Sequence, residues 1–198
     1  MAFGVILGWL IGAQQLSRAG GLAPAAPVAQ SQPAASATPA PSGRQAPPLD
    51  EARVQSLTAT INADPKNVTP VVQLANVYFD AERWSDAISW YEKALALDPK
   101  SADVSTDLGV SYYYTNRTDE ALARFEESLK IDPKHTKTLL NKGIVLAFGK
   151  ENLQAAAVEW QKVVDLAPGS PEGEAARRAL EGVAAAHAAP AAPAAATP

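Results

Sequence analysis

Cysteine is missing from the chain altogether, which excludes disulfides, thiolate chemistry and cysteine-ligated metals. Histidine is nearly as scarce. His135 and His187 are the only two, and neither has carboxylate or histidine neighbours at metal-ligand spacing. No glycine-rich phosphate loop is present either, because Gly20 and Gly21 stand in a proline-rich stretch with no strand before them. The acidic pairs Asp119-Glu120 and Glu126-Glu127 read as solvated helix faces, without the surroundings that acid-base chemistry needs. These absences leave no catalytic constellation, so the chain reads as a non-enzyme without cofactor or metal.

Positive charge is also short. The 198 residues carry 17 Lys+Arg against 21 Asp+Glu, a formal net charge of −4. Every acid but only 15 of the basic residues falls between Leu49 and Val183, so that stretch stands at −6. A surface for nucleic acid needs the opposite sign to neutralise phosphates, and no nucleic-acid partner is expected.

What the chain does have is a comb of prolines. Pro65, Pro99, Pro133 and Pro168 are 34, 34 and 35 residues apart, and each follows Asp64, Asp98, Asp132 or Ala167. Aligned on them, Leu74, Ala75 and Tyr78 stand above Leu108, Gly109 and Tyr112, then above Lys142, Gly143 and Leu146. Further along come Ala87, Tyr91 and Ala94, then Ala121, Phe125 and Ser128, then, one residue late, Ala156, Trp160 and Val163. The small residues belong where paired helices cross closely, and the large ones fill the remaining space as spacers between hairpins. Each proline ends a helix, because it has no amide hydrogen and restricts the residue before it.

The pattern resembles the tetratricopeptide repeat family, whose units are helix-turn-helix hairpins with this order of apolar, small and aromatic places. The resemblance implies an all-α fold, a right-handed superhelical stack of three hairpins with flanking capping helices. A hairpin of this kind cannot bury its apolar face alone and leans on its neighbours. The expected domain runs over 49–186: a cap helix over 49–63, repeats over 68–101, 102–135 and 136–169, and a second cap over 171–186. The extra residue of the third repeat is expected in the turn from Gly149 to Asn152. Lys142 stands where the family has leucine, and its stem is expected to cover apolar surface with the amine in solvent.

The ends are of another kind. Met1 to Ala13 is uncharged and almost wholly apolar, so residues 1–18 read as a membrane anchor, inserted through residues 1–16. At about 1.5 Å per residue it is short of the roughly 30 Å hydrocarbon core, which suggests an initiator upstream of Met1; a cleaved signal peptide is the competing reading. Gly4, Gly8 and Gly12 form a small-residue stripe that would allow a homodimer of membrane helices. Residues 19–48 hold seven prolines and ten alanines and read as a disordered, semi-extended linker, and 187–198 as a disordered tail. Bacterial repeat proteins with this layout imply an inner-membrane location with the repeats facing the periplasm, although Arg18 and Arg44 after the anchor weakly favour the opposite orientation.

In this family the first helix of each hairpin lines a concave groove. The resemblance places Asn76, Phe79, Asp80, Asp103, Asp107, Val110, Tyr113, Tyr114, Lys137, Asn141 and Phe148 there. Phe79, Tyr113 and Tyr114 exceed what core packing requires, since Tyr78 and Tyr112 already occupy those places, and they suit contact with a protein or peptide. The family's clamp for acidic chaperone tails would use Val72, Asn76, Asp107, Lys137 and Asn141, of which only Asn76 and Lys137 fit. Asp107 would repel a carboxylate. With Asp80, Asp103 and Asp107 early and Lys137 and Lys142 late, the groove is expected to take a partner of mixed charge. The functional expectation is a membrane-anchored scaffold that binds a peptide or protein segment. A subunit of a cytochrome c maturation machine and a self-association module are the alternatives.

Overall fold

The computed structural model describes residues 46–188. The expected anchor with its glycine stripe, most of the linker and most of the tail lie outside the described residues. Eight α-helices follow one another: α1 (Glu51–Ala63), α2 (Val68–Asp80), α3 (Trp84–Leu97), α4 (Ala102–Tyr114), α5 (Thr118–Ile131), α6 (Thr136–Ile144), α7 (Leu153–Leu166) and α8 (Pro171–Ala188). No strand occurs among the described residues. None of their helices is long and apolar enough to cross a membrane.

Helices α2/α3, α4/α5 and α6/α7 pair as hairpins, with α1 packed on α2 and α8 packed on α7. The crossings depend on small residues. Ala75, Ala87, Ala121 and Ala156 have no exposed surface. A methyl group on Gly109 would come within 2.6 Å of the Phe125 ring, and one on Gly143 would overlap Trp160. Tyr91, Phe125 and Trp160, expected as spacers from one hairpin to the next, pack against the first helix of their own hairpin and are at most 2% exposed; the Trp160 indole donates to the carbonyl of Leu140 at 3.2 Å.

The proline comb marks a recurring stop and start. Asp64, Asp98 and Asp132 each end a helix and accept a hydrogen bond from the amide two residues on, at 3.3, 3.0 and 2.9 Å. Aspartate supplies this turn, and the following proline prevents the helix from continuing. The next helix then starts on a short polar side chain in several cases: Asn67 caps α2 and Ser101 caps α4 by accepting a free amide of the first turn.

The extra residue of the third repeat is not in the turn where the sequence pattern suggested. It is absorbed one step earlier, in a π-helical turn at Val145–Gly149, where the amide of Lys150 reaches the carbonyl of Val145 five residues back. A π turn takes in one residue without breaking the helix. The following loop therefore keeps the form of the other two: Glu82, Asn116 and Glu151 all adopt left-handed backbone, with φ of 56°, 61° and 51°.

Candidate functional site

Apart from Phe148 in the π turn, the expected groove residues lie on α2, α4 and α6, the first helix of each hairpin. Asn76, Asp80 and Asp103 are exposed; Asp107, Lys137, Tyr113 and Tyr114 are half-buried. Asn76 is held in place by the Tyr91 hydroxyl, which donates to its Oδ1 at 2.7 Å. Burial raises the Tyr91 phenol well above its ordinary pKa, and the negative charges of Asp107 and Asp80 push in the same direction.

Asp107 does not project freely. Its Oδ1 sits 2.7 Å from the Lys137 ammonium, joining α4 to α6. Burial pushes the Asp107 carboxyl above the usual range, and the ion pair and hydrogen bond with Lys137 work against that shift. Partial burial likewise raises Asp80.

Several expected groove residues are placed elsewhere. Phe79 and Val110 are core side chains, 8% and 4% exposed, and the ring of Phe79 meets Trp84 and Tyr91 edge-on. Tyr114 stacks on Trp84 with centroids 4.3 Å apart, so this tyrosine also works in packing; burial is the main reason its phenol is pushed up to about 12. Tyr113 leans on Tyr114 at 5.9 Å, and Phe148 is exposed at the π turn. Asn141 is buried: its amide nitrogen donates to the Lys137 carbonyl and its Oδ1 has no hydrogen-bond partner.

Lys142 also departs from expectation, because its amine is held by acids on two other helices. It lies between Glu126 of α5 at 2.7 Å and Glu159 of α7 at 2.9 Å, and Lys162 closes the network on Glu159 at 2.9 Å. Burial favours the neutral amine, but hydrogen bonds donated to the two glutamates outweigh it and hold Lys142 above its ordinary pKa. Both lysines of the expected basic half are therefore matched by internal acids.

A polar cluster escaped sequence reading. Thr138 Oγ1 lies 2.6 Å from Thr106, 2.7 Å from Ser128 and 2.6 Å from His135 Nδ1, while His135 Nε2 faces Asp103 at 3.3 Å. Hydroxyl, imidazole and carboxylate stand here in the order of a hydrolytic triad. Thr138 has no exposed surface, however, and its hydroxyl is enclosed by Thr106 and Ser128, so the array fastens helices rather than attacking a substrate. The available signal was Ser128, standing where the other hairpins carry Ala94 and Val163. Trp84 gave no periodic signal, since only the first hairpin has an aromatic residue there.

Two family models described as tetratricopeptide repeat match residues 69–134 and 106–171. Between them they cover just over half of the chain, which belongs to the tetratricopeptide repeat family. No curated protein matches the sequence. Among solved structures the chain is similar to MamA, at 19% identity and a TM-score of 0.56, covering 68% of this chain and 88% of that one. It is also similar to the first tetratricopeptide repeat domain of Spaghetti (RPAP3) bound to an HSP90 peptide, at 21% identity and a TM-score of 0.56, covering 64% and 97%. A third similar structure is SycD, a type III secretion translocator chaperone of Yersinia enterocolitica, at 18% identity and a TM-score of 0.58, covering 62% and 95%. These likenesses support the stacked-hairpin fold.

Proposed function

We propose that the protein is a non-catalytic scaffold that holds a peptide or protein segment on the face formed by α2, α4 and α6. The observation that carries this reading is the set of exposed polar side chains there, Asn76, Asp80 and Asp103. Asn76 also accepts from Tyr91 and Asp103 faces His135, but each keeps exposed polar surface that a guest can contact. The solved relative with a bound HSP90 peptide shows that the fold accepts such a guest. Photo-crosslinking from Gln73 on this face, in the full chain, is expected to capture a partner that the same probe at Gln161 on α7 does not. Equal capture at both positions would remove the reading.

The apolar run from Met1 to Ala13 supports a second element of the proposal, that the scaffold is tethered to a bacterial inner membrane with its repeats facing the periplasm. Protease added to spheroplasts is expected to digest the repeats; protection would place them on the other side. Self-association is a second reading. Leu97, Ile131 and Leu166 recur at the ends of α3, α5 and α7 and are 42%, 39% and 41% exposed. Light scattering of the full chain in detergent tests it: substituting Ile131 by Asp is expected to reduce the mass only if that row forms the contact.

A further inference from the structure

We infer that the guest segment is cationic, with lysine or arginine side chains set against the exposed carboxylates of Asp80 and Asp103. The inference rests on the scaffold reading above and specifies its partner. The charge expected from sequence was mixed, acidic early and basic late. The structure changes that balance, because Lys137 is tied to Asp107 and Lys142 lies between Glu126 and Glu159. What remains for a guest on the face is negative: Asp80 has no salt bridge among the described residues, and Asp103 meets only His135.

A further observation points to a donor-rich guest. Asn141, one helical turn from Lys137 on the same side of α6, is 5% exposed and keeps its Oδ1 without a donor. A buried acceptor left unpaired is unfavourable, and an N–H group brought there would satisfy it. An acidic guest would face Asp80 and Asp103 on a strip whose Lys137 is already committed to Asp107.

The test uses the full chain in detergent micelles and three fluorescein-labelled peptides of equal length: leucine-lysine, leucine-glutamate and leucine-serine. Fluorescence anisotropy is expected to show tightest binding of the lysine peptide, weakening as salt is raised. Asp80→Lys is expected to weaken it about tenfold and Asp80→Glu to leave it nearly unchanged, while Glu127→Lys on α5 has little effect. Circular dichroism confirms that each variant is folded. Equal or tighter binding of the glutamate peptide overturns the cationic assignment and leaves the scaffold reading in place. Failure of the lysine peptide to bind overturns it too, and if Gln73 also crosslinks nothing, the scaffold reading falls with it.

Discussion

The two junctions between repeats are built from different materials. Between the first and second hairpins the contact is mainly aromatic: Trp84 is stacked on Tyr114 and met edge-on by Phe79, with Tyr112 reaching back to Glu92 at 2.6 Å. Between the second and third it consists of hydroxyls and charges, with Thr106, Ser128 and Thr138 around His135 and with Lys142 joining Glu126 and Glu159. Stacked rings tolerate small shifts and have few protons to place. The polar junction does not share that freedom. Thr106 and Ser128 both donate to the carbonyl of Ala102, at 2.7 and 2.9 Å, which leaves the single proton of Thr138 to complete the array. When His135 carries its proton on Nε2, toward Asp103, Nδ1 accepts that proton. A polar junction thus specifies one arrangement and exposes it to mutation and pH.

The contrast is broken most sharply at Lys142. Lys142→Leu restores the family's usual residue yet strands Glu159, 9% exposed as a side chain, with Lys162 alone; a loss of about 3 kcal/mol is expected in urea unfolding at neutral pH. The double variant Lys142→Leu with Glu159→Leu is expected to recover most of it, because a well-packed apolar pair replaces a buried ionic one. At the aromatic junction, Trp84→Ala removes a half-buried ring from a stack and is expected to cost about 2 kcal/mol by the same measurement. Thr138→Val keeps the volume but removes the shared hydroxyl, at an expected cost of about 1 to 2 kcal/mol.

Acid separates the junctions without mutation. Burial pushes Glu159 up, but hydrogen bonds from Lys142 and Lys162 outweigh it and hold the carboxyl below its ordinary value of 4.5. A depressed acid stabilises the fold fully above its unfolded pKa, and that contribution is lost as pH falls through the folded value. Stability is therefore expected to drop below about pH 4.5, and Glu159→Gln to flatten the drop, in denaturant titrations across that range. The smallest effect lies in the loops. Asparagine tolerates left-handed backbone better than glutamate, and Asn116 already occupies that place in the second hairpin. Glu82→Asn and Glu151→Asn are each expected to add about 0.5 kcal/mol, read as a small rise in Tm.

The hairpins were legible because their causes are local and repeat. Asp-Pro at 34-residue intervals reports a helix end, and Gly109 above Gly143 reports a close crossing without any knowledge of the partner ring. The face used for binding was legible only in part. Asn76, Asp80 and Asp103 stand exposed on the first helices as the pattern required, whereas Phe79 and Val110, in equivalent periods, are buried. Periodicity tells which way a residue points along its own helix, but the neighbouring hairpin decides whether it is covered.

By itself the sequence determined the helices, their order and their pairing, because spacing, helix stops and small residues act within a few dozen residues. Only the tertiary structure decided charge. A lysine reads as a cation on paper, yet Lys137 and Lys142 meet acids on other helices and no longer offer positive charge to a guest. Electrostatic partners are chosen by distance in space, and a 34-residue repeat does not carry that information.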